Sequence, residues 1–170
     1  AEQAYGQVLA LTPADDKERQ ALVDNLAASI YKQGEQANAA QDHRAAADNF
    51  LRVGKAAPGS QIRAAAEYDA AAALIQLQDW PAAAAVLEAF RSDWPDHELK
   101  HEVTRQIAFV YRQNGQLSRA ASEYERVASE AGDPNLQGEA LLLAGNLYEQ
   151  SGATAQALAE HFGTFEALVA

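Results

Sequence analysis

Cysteine and methionine are both missing from the 170 residues of this chain. Without cysteine there is no disulfide frame, no thiolate metal site and no thiol nucleophile. Basic residues are scarce too, with 13 Lys and Arg against 24 Asp and Glu, a net charge of −11. Phosphate is repelled by such a chain over long range, which excludes nucleic acid as an expected partner. No apolar run approaches the roughly 18 residues of a transmembrane segment, and no basic-then-apolar start suggests an intact signal peptide. Linkers rich in proline or charge are absent, so the expectation is a single domain. No Gly-rich phosphate loop and no spacing typical of a nucleophile–base pair occurs, so neither a cofactor nor a catalytic residue is expected.

Alanine is what the chain has instead, 40 residues of it, about half of the 48% hydrophobic fraction. It favours helix while filling little core volume. Against that background one spacing recurs. Ala46, Phe50, Val53 and Pro58 return 37 residues later as Ala83, Leu87, Phe90 and Pro95. The next step gives Ala120, Tyr124, Val127 and Gly132 with Asp133-Pro134 behind it, and a fourth reaches Ala157, His161 and Thr164. The small residue lets two helix axes approach, the large one fills the space beside that contact, and the proline or Gly-Asp-Pro ends the helix. Each such helix follows a turn: Gln41-Asp42, Gln78-Asp79, Asn114-Gly115 and Ser151-Gly152. Upstream of each turn lies another helical stretch, so the unit is a helix–turn–helix hairpin stacked on its neighbours.

These residues resemble the tetratricopeptide repeat, whose first helix reads large-x2-Leu-Gly-x2-Tyr and whose second reads Ala-x3-Phe with a closing Pro. The first-helix positions here are Ile30, Gln33, Gly34 and Ala37, then Glu67, Ala70, Ala71 and Leu74. Thr104, Ile107, Ala108 and Tyr111 follow, and then Leu141, Ala144, Gly145 and Tyr148. The resemblance implies an all-α fold, a right-handed αα-hairpin solenoid or superhelix of about four repeats plus an N-terminal half repeat. The half repeat is 1–13, and the repeats run approximately 15–60, 61–97, 98–134 and 135–170. A period of 37 exceeds the family's 34, which calls for a first helix about one turn longer or for a longer connection.

Both ends read as cut inside repeats. Ala1, Tyr5, Val8 and Pro13 repeat the second-helix spacing with no first helix before them. The 45 residues from Pro13 to Pro58 are eight more than elsewhere, and Asp15 to about Ala40 is expected to be one long helix capped by Asp15 or Asp16. Thr154 to Val169 carries Leu158, Phe162, Phe165 and Leu168 without the polar outer face of a capping helix. The expectation is a fragment of a longer protein, or a mature form whose ends pack on something else, with the two exposed ends driving self-association of the isolated fragment.

His97-Glu98-Leu99-Lys100-His101 is literally the H-E-x-x-H string of zinc proteases. That chemistry needs two imidazoles one helical turn apart, a glutamate base and a third ligand. Here the string follows Trp94-Pro95-Asp96, which predicts a helix start with Asp96 as cap and His97 in the first turn. No third ligand stands out. Adventitious metal binding by His97 and His101 is the most the string supports, with a metalloprotease as the alternative function.

In the resembled family the first helices line a concave groove. Carried over by register, its partner-facing residues are Tyr31, Glu35, Tyr68, Ile75, Arg105, Phe109, Arg112, Leu142 and Asn146. Lys and Asn of the family's carboxylate clamp are replaced by Tyr31 and Glu35, and by Tyr68 and Ala72, so an extended protein or peptide of mixed charge is the expected partner. The alanine-rich, cysteine-free pattern resembles bacterial cell-envelope scaffolds of the TolA-binding or outer-membrane assembly type. That resemblance implies a non-catalytic interaction scaffold in the periplasm, with the cytoplasm as the alternative and oligomerisation through the helix ends as a rival role.

Overall fold

Helix ends fall at the turn residues of the repeat. The computed structural model describes residues 1–153, so Ala157, His161, Thr164 and the expected closing stretch Thr154–Val169 lie outside the described residues. Among the described residues there are eight helices and no strand: α1 (Glu2–Leu11), α2 (Arg19–Ala39), α3 (His43–Ala56), α4 (Arg63–Gln76), α5 (Trp80–Asp93), α6 (Lys100–Gln113), α7 (Leu117–Glu130) and α8 (Pro134–Ser151). None of them is long and apolar enough to cross a membrane.

Four tight hairpin turns recur in register. Gln41, Gln78, Gly115 and Gly152, each 37 residues from the last, have φ of 62°, 57°, 71° and 69°. That left-handed backbone suits glycine and strains glutamine. It lets the following N–H reach back five residues: Asp42 to Ala37 O at 2.9 Å, Asp79 to Leu74 O at 3.0 Å, Gln116 to Tyr111 O at 2.9 Å and Ala153 to Tyr148 O at 3.2 Å. The pattern satisfies carbonyls that a helix end leaves bare. Asp42 then caps α3 by accepting the Ala45 N–H at 3.0 Å.

The connections between hairpins explain the long period. Before α4 and α6 the chain makes two successive tight turns, with Ser60 N–H on Ala57 O and Arg63 N–H on Ser60 O, then His97 N–H on Trp94 O and Lys100 N–H on His97 O. Both helices keep 14 residues, so the surplus over 34 lies in the connection and not in a lengthened first helix. The same double turn occupies residues 13–18. This corrects the expected start at Asp15: α2 begins at Arg19, without a side-chain cap, because the preceding backbone is already committed to turns. Asp16 instead accepts the Glu18 N–H at 2.8 Å within the turn. α2 still runs to 21 residues. Between α7 and α8 the double turn is missing. Asp133 caps α8 directly and Pro134 opens it, where a missing N–H costs nothing.

The chain divides into two compact units, Ala1–Phe90 and Arg91–Ala170. In the first, α3 buries Ala46, Ala47, Phe50 and Val53, and α2 buries Leu26, Ala27, Ile30 and Gly34. A Cβ on Gly34 would stand 2.5 Å from Cε1 of Phe50, so the ring lies directly on the α2 backbone. In the second, α6 buries Val103, Ile107, Ala108, Val110 and Tyr111, and α7 buries Ala120 and Ala121. The consecutive alanines recur at Ala46-Ala47, Ala83-Ala84 and Ala120-Ala121, all buried. Each contributes little transfer energy, while each fully buried Leu, Ile or Phe contributes roughly 1.5–3 kcal/mol. Alanine's role is thus close helix approach.

Candidate functional site

The H-E-x-x-H string does not form a helical pair of imidazoles. α6 begins at Lys100 with Leu99 as its flanking residue, three residues later than Asp96 as cap would place it. The reason is the double turn, in which His97 Nδ1 accepts the Leu99 N–H at 3.2 Å. That is the position held by Asp16, which accepts the Glu18 N–H before α2, and by Ser60, which accepts the Ile62 N–H at 3.2 Å before α4. His97 is therefore a turn-capping residue with its Nδ1 lone pair occupied. His101 sits on α6, exposed, with Nδ1 3.0 Å from Glu130 Oε2. Among the described residues no group of three His, Asp or Glu side chains is disposed to hold a metal ion.

The nine positions expected to face a partner lie on the sides of the first helices that the core leaves uncovered; none is buried. In the first unit Glu35 is exposed, and Tyr31, Tyr68 and Ile75 are half-buried. The Tyr31 ring is tilted against Phe50 with centroids 5.1 Å apart, and its hydroxyl donates to the Asp69 carboxylate of α4. Burial, and then that carboxylate, hold the hydroxyl well above the usual phenol range. Tyr68 meets the Phe90 ring edge-on at 6.4 Å. Both tyrosines thus tie helices together while keeping part of their surface outside. Asp69 carries no repeat signal, and sequence reasoning missed it.

In the second unit the same face is more open. Phe109 is 36% exposed and Leu142 64%; Arg105, Arg112 and Asn146 are exposed. Arg105 Nε donates to Glu102 at 3.1 Å. Beside Arg105 a cleft of about 640 Å³ opens between the start of α6, the end of α7 and the start of α8. Its apolar lining includes Tyr124, Val127, Leu136 and Leu143, none of which had been assigned to a partner surface. The available signal was Arg105 itself, 37 residues beyond Tyr68, where two copies carry tyrosine and the third a cation.

The hairpin of α4 and α5 buries Ala71 and Leu74 on one helix and Ala83, Leu87 and Phe90 on the other. Residues 65–97 match the tetratricopeptide repeat family. The fold around that tetratricopeptide repeat is shared with solved structures. MamA from Desulfovibrio magneticus RS-1 is similar at 18% identity and a TM-score of 0.54, over 98% of this chain and 94% of that one. A putative kinesin light chain from Podospora anserina with nearly identical TPR-like repeats is similar at 17% identity and 0.55, over 98% and 84%. At such identities the likeness establishes the fold, an all-α solenoid of the tetratricopeptide-repeat type. No curated protein matches the chain.

Proposed function

We propose that this chain is a non-catalytic scaffold that binds a protein or peptide partner on the uncovered faces of its first helices. The observation that carries this reading is the exposure of large apolar side chains there, Phe109 and Leu142 above all. Such side chains on a rigid helix offer contact area at low entropic cost. The flanking Glu35, Arg105, Arg112 and Asn146 suit an extended segment of mixed charge. Phe109→Ala/Leu142→Ala, with folding checked by circular dichroism, is expected to lose a partner that the wild type captures. Retention of every partner by the folded variant would move the interface elsewhere.

We also take the bacterial cell envelope as the compartment, on the likeness of these alanine-rich repeats to envelope scaffolds. Fractionation of cells carrying a tagged full-length protein tests it, and a wholly cytoplasmic signal would reject it. A second reading, self-association, is favoured by α1, where Leu11 is 86% and Val8 48% exposed and no residue is buried. Leu11→Glu is then expected to shift a concentration-dependent oligomer to monomer in sedimentation; a monomer throughout would dismiss it.

A further inference from the structure

Equivalent positions near the end of each second helix are sealed in two copies of the repeat and open in the third. Phe50 and Val53 are 2% and 0% exposed, and Leu87 and Phe90 are 0% and 1%. Their counterparts Tyr124 and Val127 are only half-buried and line the 640 Å³ cleft of the second unit. Two local differences account for the opening. Arg105 stands where Tyr31 and Tyr68 lay rings on Phe50 and Phe90. The shortened connection before α8 also leaves its capping residue Asp133 exposed, whereas Ser60 in the full-length connection is buried.

The cleft combines apolar walls with an acidic rim. Tyr124, Val127, Leu136 and Leu143 form the walls, and Leu136 is 52% exposed. On the rim, His101 is matched to Glu130 at 3.0 Å and Arg105 to Glu102. Glu139 is exposed and has no partner among the described residues. Arg105 and the His101 imidazole are thus each taken up by a carboxylate and one carboxylate is left over, on a chain of net charge −11. Anions are repelled there and a cation is drawn in. We propose that this cleft is a subsite for a protein segment that presents an apolar side chain beside a Lys or Arg, the apolar group between Tyr124 and Leu136 and the cation on Glu139. The proposal rests on the scaffold reading and names one element of the partner's chemistry.

The probes are three fluorescent peptides, identical except for a central Leu-Arg, Leu-Glu or Ser-Arg pair, titrated into the intact chain and read by anisotropy. Leu-Arg is expected to bind roughly tenfold more tightly than either control. Arg105→Tyr, which restores the ring of the other copies, is expected to abolish Leu-Arg binding with the helical signal intact. Glu139→Lys, at an exposed site that folding does not need, is expected to weaken Leu-Arg binding about fivefold and to improve Leu-Glu. Equal binding of Leu-Arg and Leu-Glu, no saturable binding at millimolar peptide, or no effect of Glu139→Lys would overturn the proposal. If the peptides fail while Phe109→Ala/Leu142→Ala still loses a captured partner, the subsite falls and the scaffold reading stands.

Discussion

Phe50 and Tyr124 occupy the same step of the repeat, yet Phe50 is buried and Tyr124 is half-exposed on the wall of a cleft. Across from Phe50 stands Gly34, which lets the ring touch the helix backbone; the corresponding residue facing α7 is Ala108. Beside Phe50 is the Tyr31 ring, and the corresponding place holds Arg105. Beside its buried alanines, α7 is held by charge. Arg91 donates to both oxygens of Glu123 at 2.5 and 3.0 Å, at a step where the other copies have Asn49 and Val86. The repeat spacing therefore determines where helices meet, while the residue opposite decides whether the meeting is sealed by rings, held by an ion pair or left open to a ligand.

Removing the ion pair should have the largest effect. Arg91→Ala leaves the nearly buried Glu123 carboxylate without its main partner and is expected to cost about 3 kcal/mol in denaturant unfolding. Adding Glu123→Val, the residue type of the second copy, should return most of it. Next comes the ring contact: Gly34→Ala is expected to lose about 2 kcal/mol through overpacking. Phe50→Leu in the same chain should recover at least half, since the second copy pairs Ala71 with Leu87; no recovery would mean that ring and glycine are not coupled.

Ser60→Ala should cost about 1 kcal/mol at neutral pH. The Ser60 hydroxyl, which donates to Asp24 at 2.8 Å, is the chief reason that the Asp24 carboxyl lies below its ordinary value. A lowered folded-state pKa stabilises the fold above the unfolded value and loses that contribution as pH falls through the folded one. The gap between wild type and variant should therefore narrow on acidification below pH 4 or so, leaving the part due to the Ile62 N–H. A gap independent of pH would assign the whole effect to the turn. The smallest differences belong to the left-handed turns. Gly115→Ala should lose about 1 kcal/mol, while Gln78→Gly should gain about 0.5 kcal/mol, both in thermal unfolding.

Most helices could be read from the chain because their signals are local: alanine content, turn pairs and stops at one spacing. The boundaries that went astray, before α2 and α6, share a cause. Asp16 and His97 look like a helix cap and a first-turn residue, but serve a double turn whose backbone bonds leave no trace in composition. The H-E-x-x-H string misleads for the same reason, since its first histidine does what Ser60 does one copy earlier. Uncovered faces were legible from periodicity, because positions one residue round from the buried stripe must face outward. The cleft was not, because an opening depends on three helices and a short connection together. Its one visible trace was the arginine at a tyrosine step.

The 21 residues of α2 against 14 in α4 and α6 bear on how such a chain could change length. Seven residues carry a helix through nearly two full turns, missing closure by about 20°. They lengthen the rod by roughly 10 Å while Ile30 and Gly34 keep facing inward. Growth by a heptad is nearly silent to everything downstream, whereas growth by five residues would rotate the stripe by about 140° and turn the core side out. The helix is in this sense a ratchet, and α2 stands one heptad further out than α4 and α6.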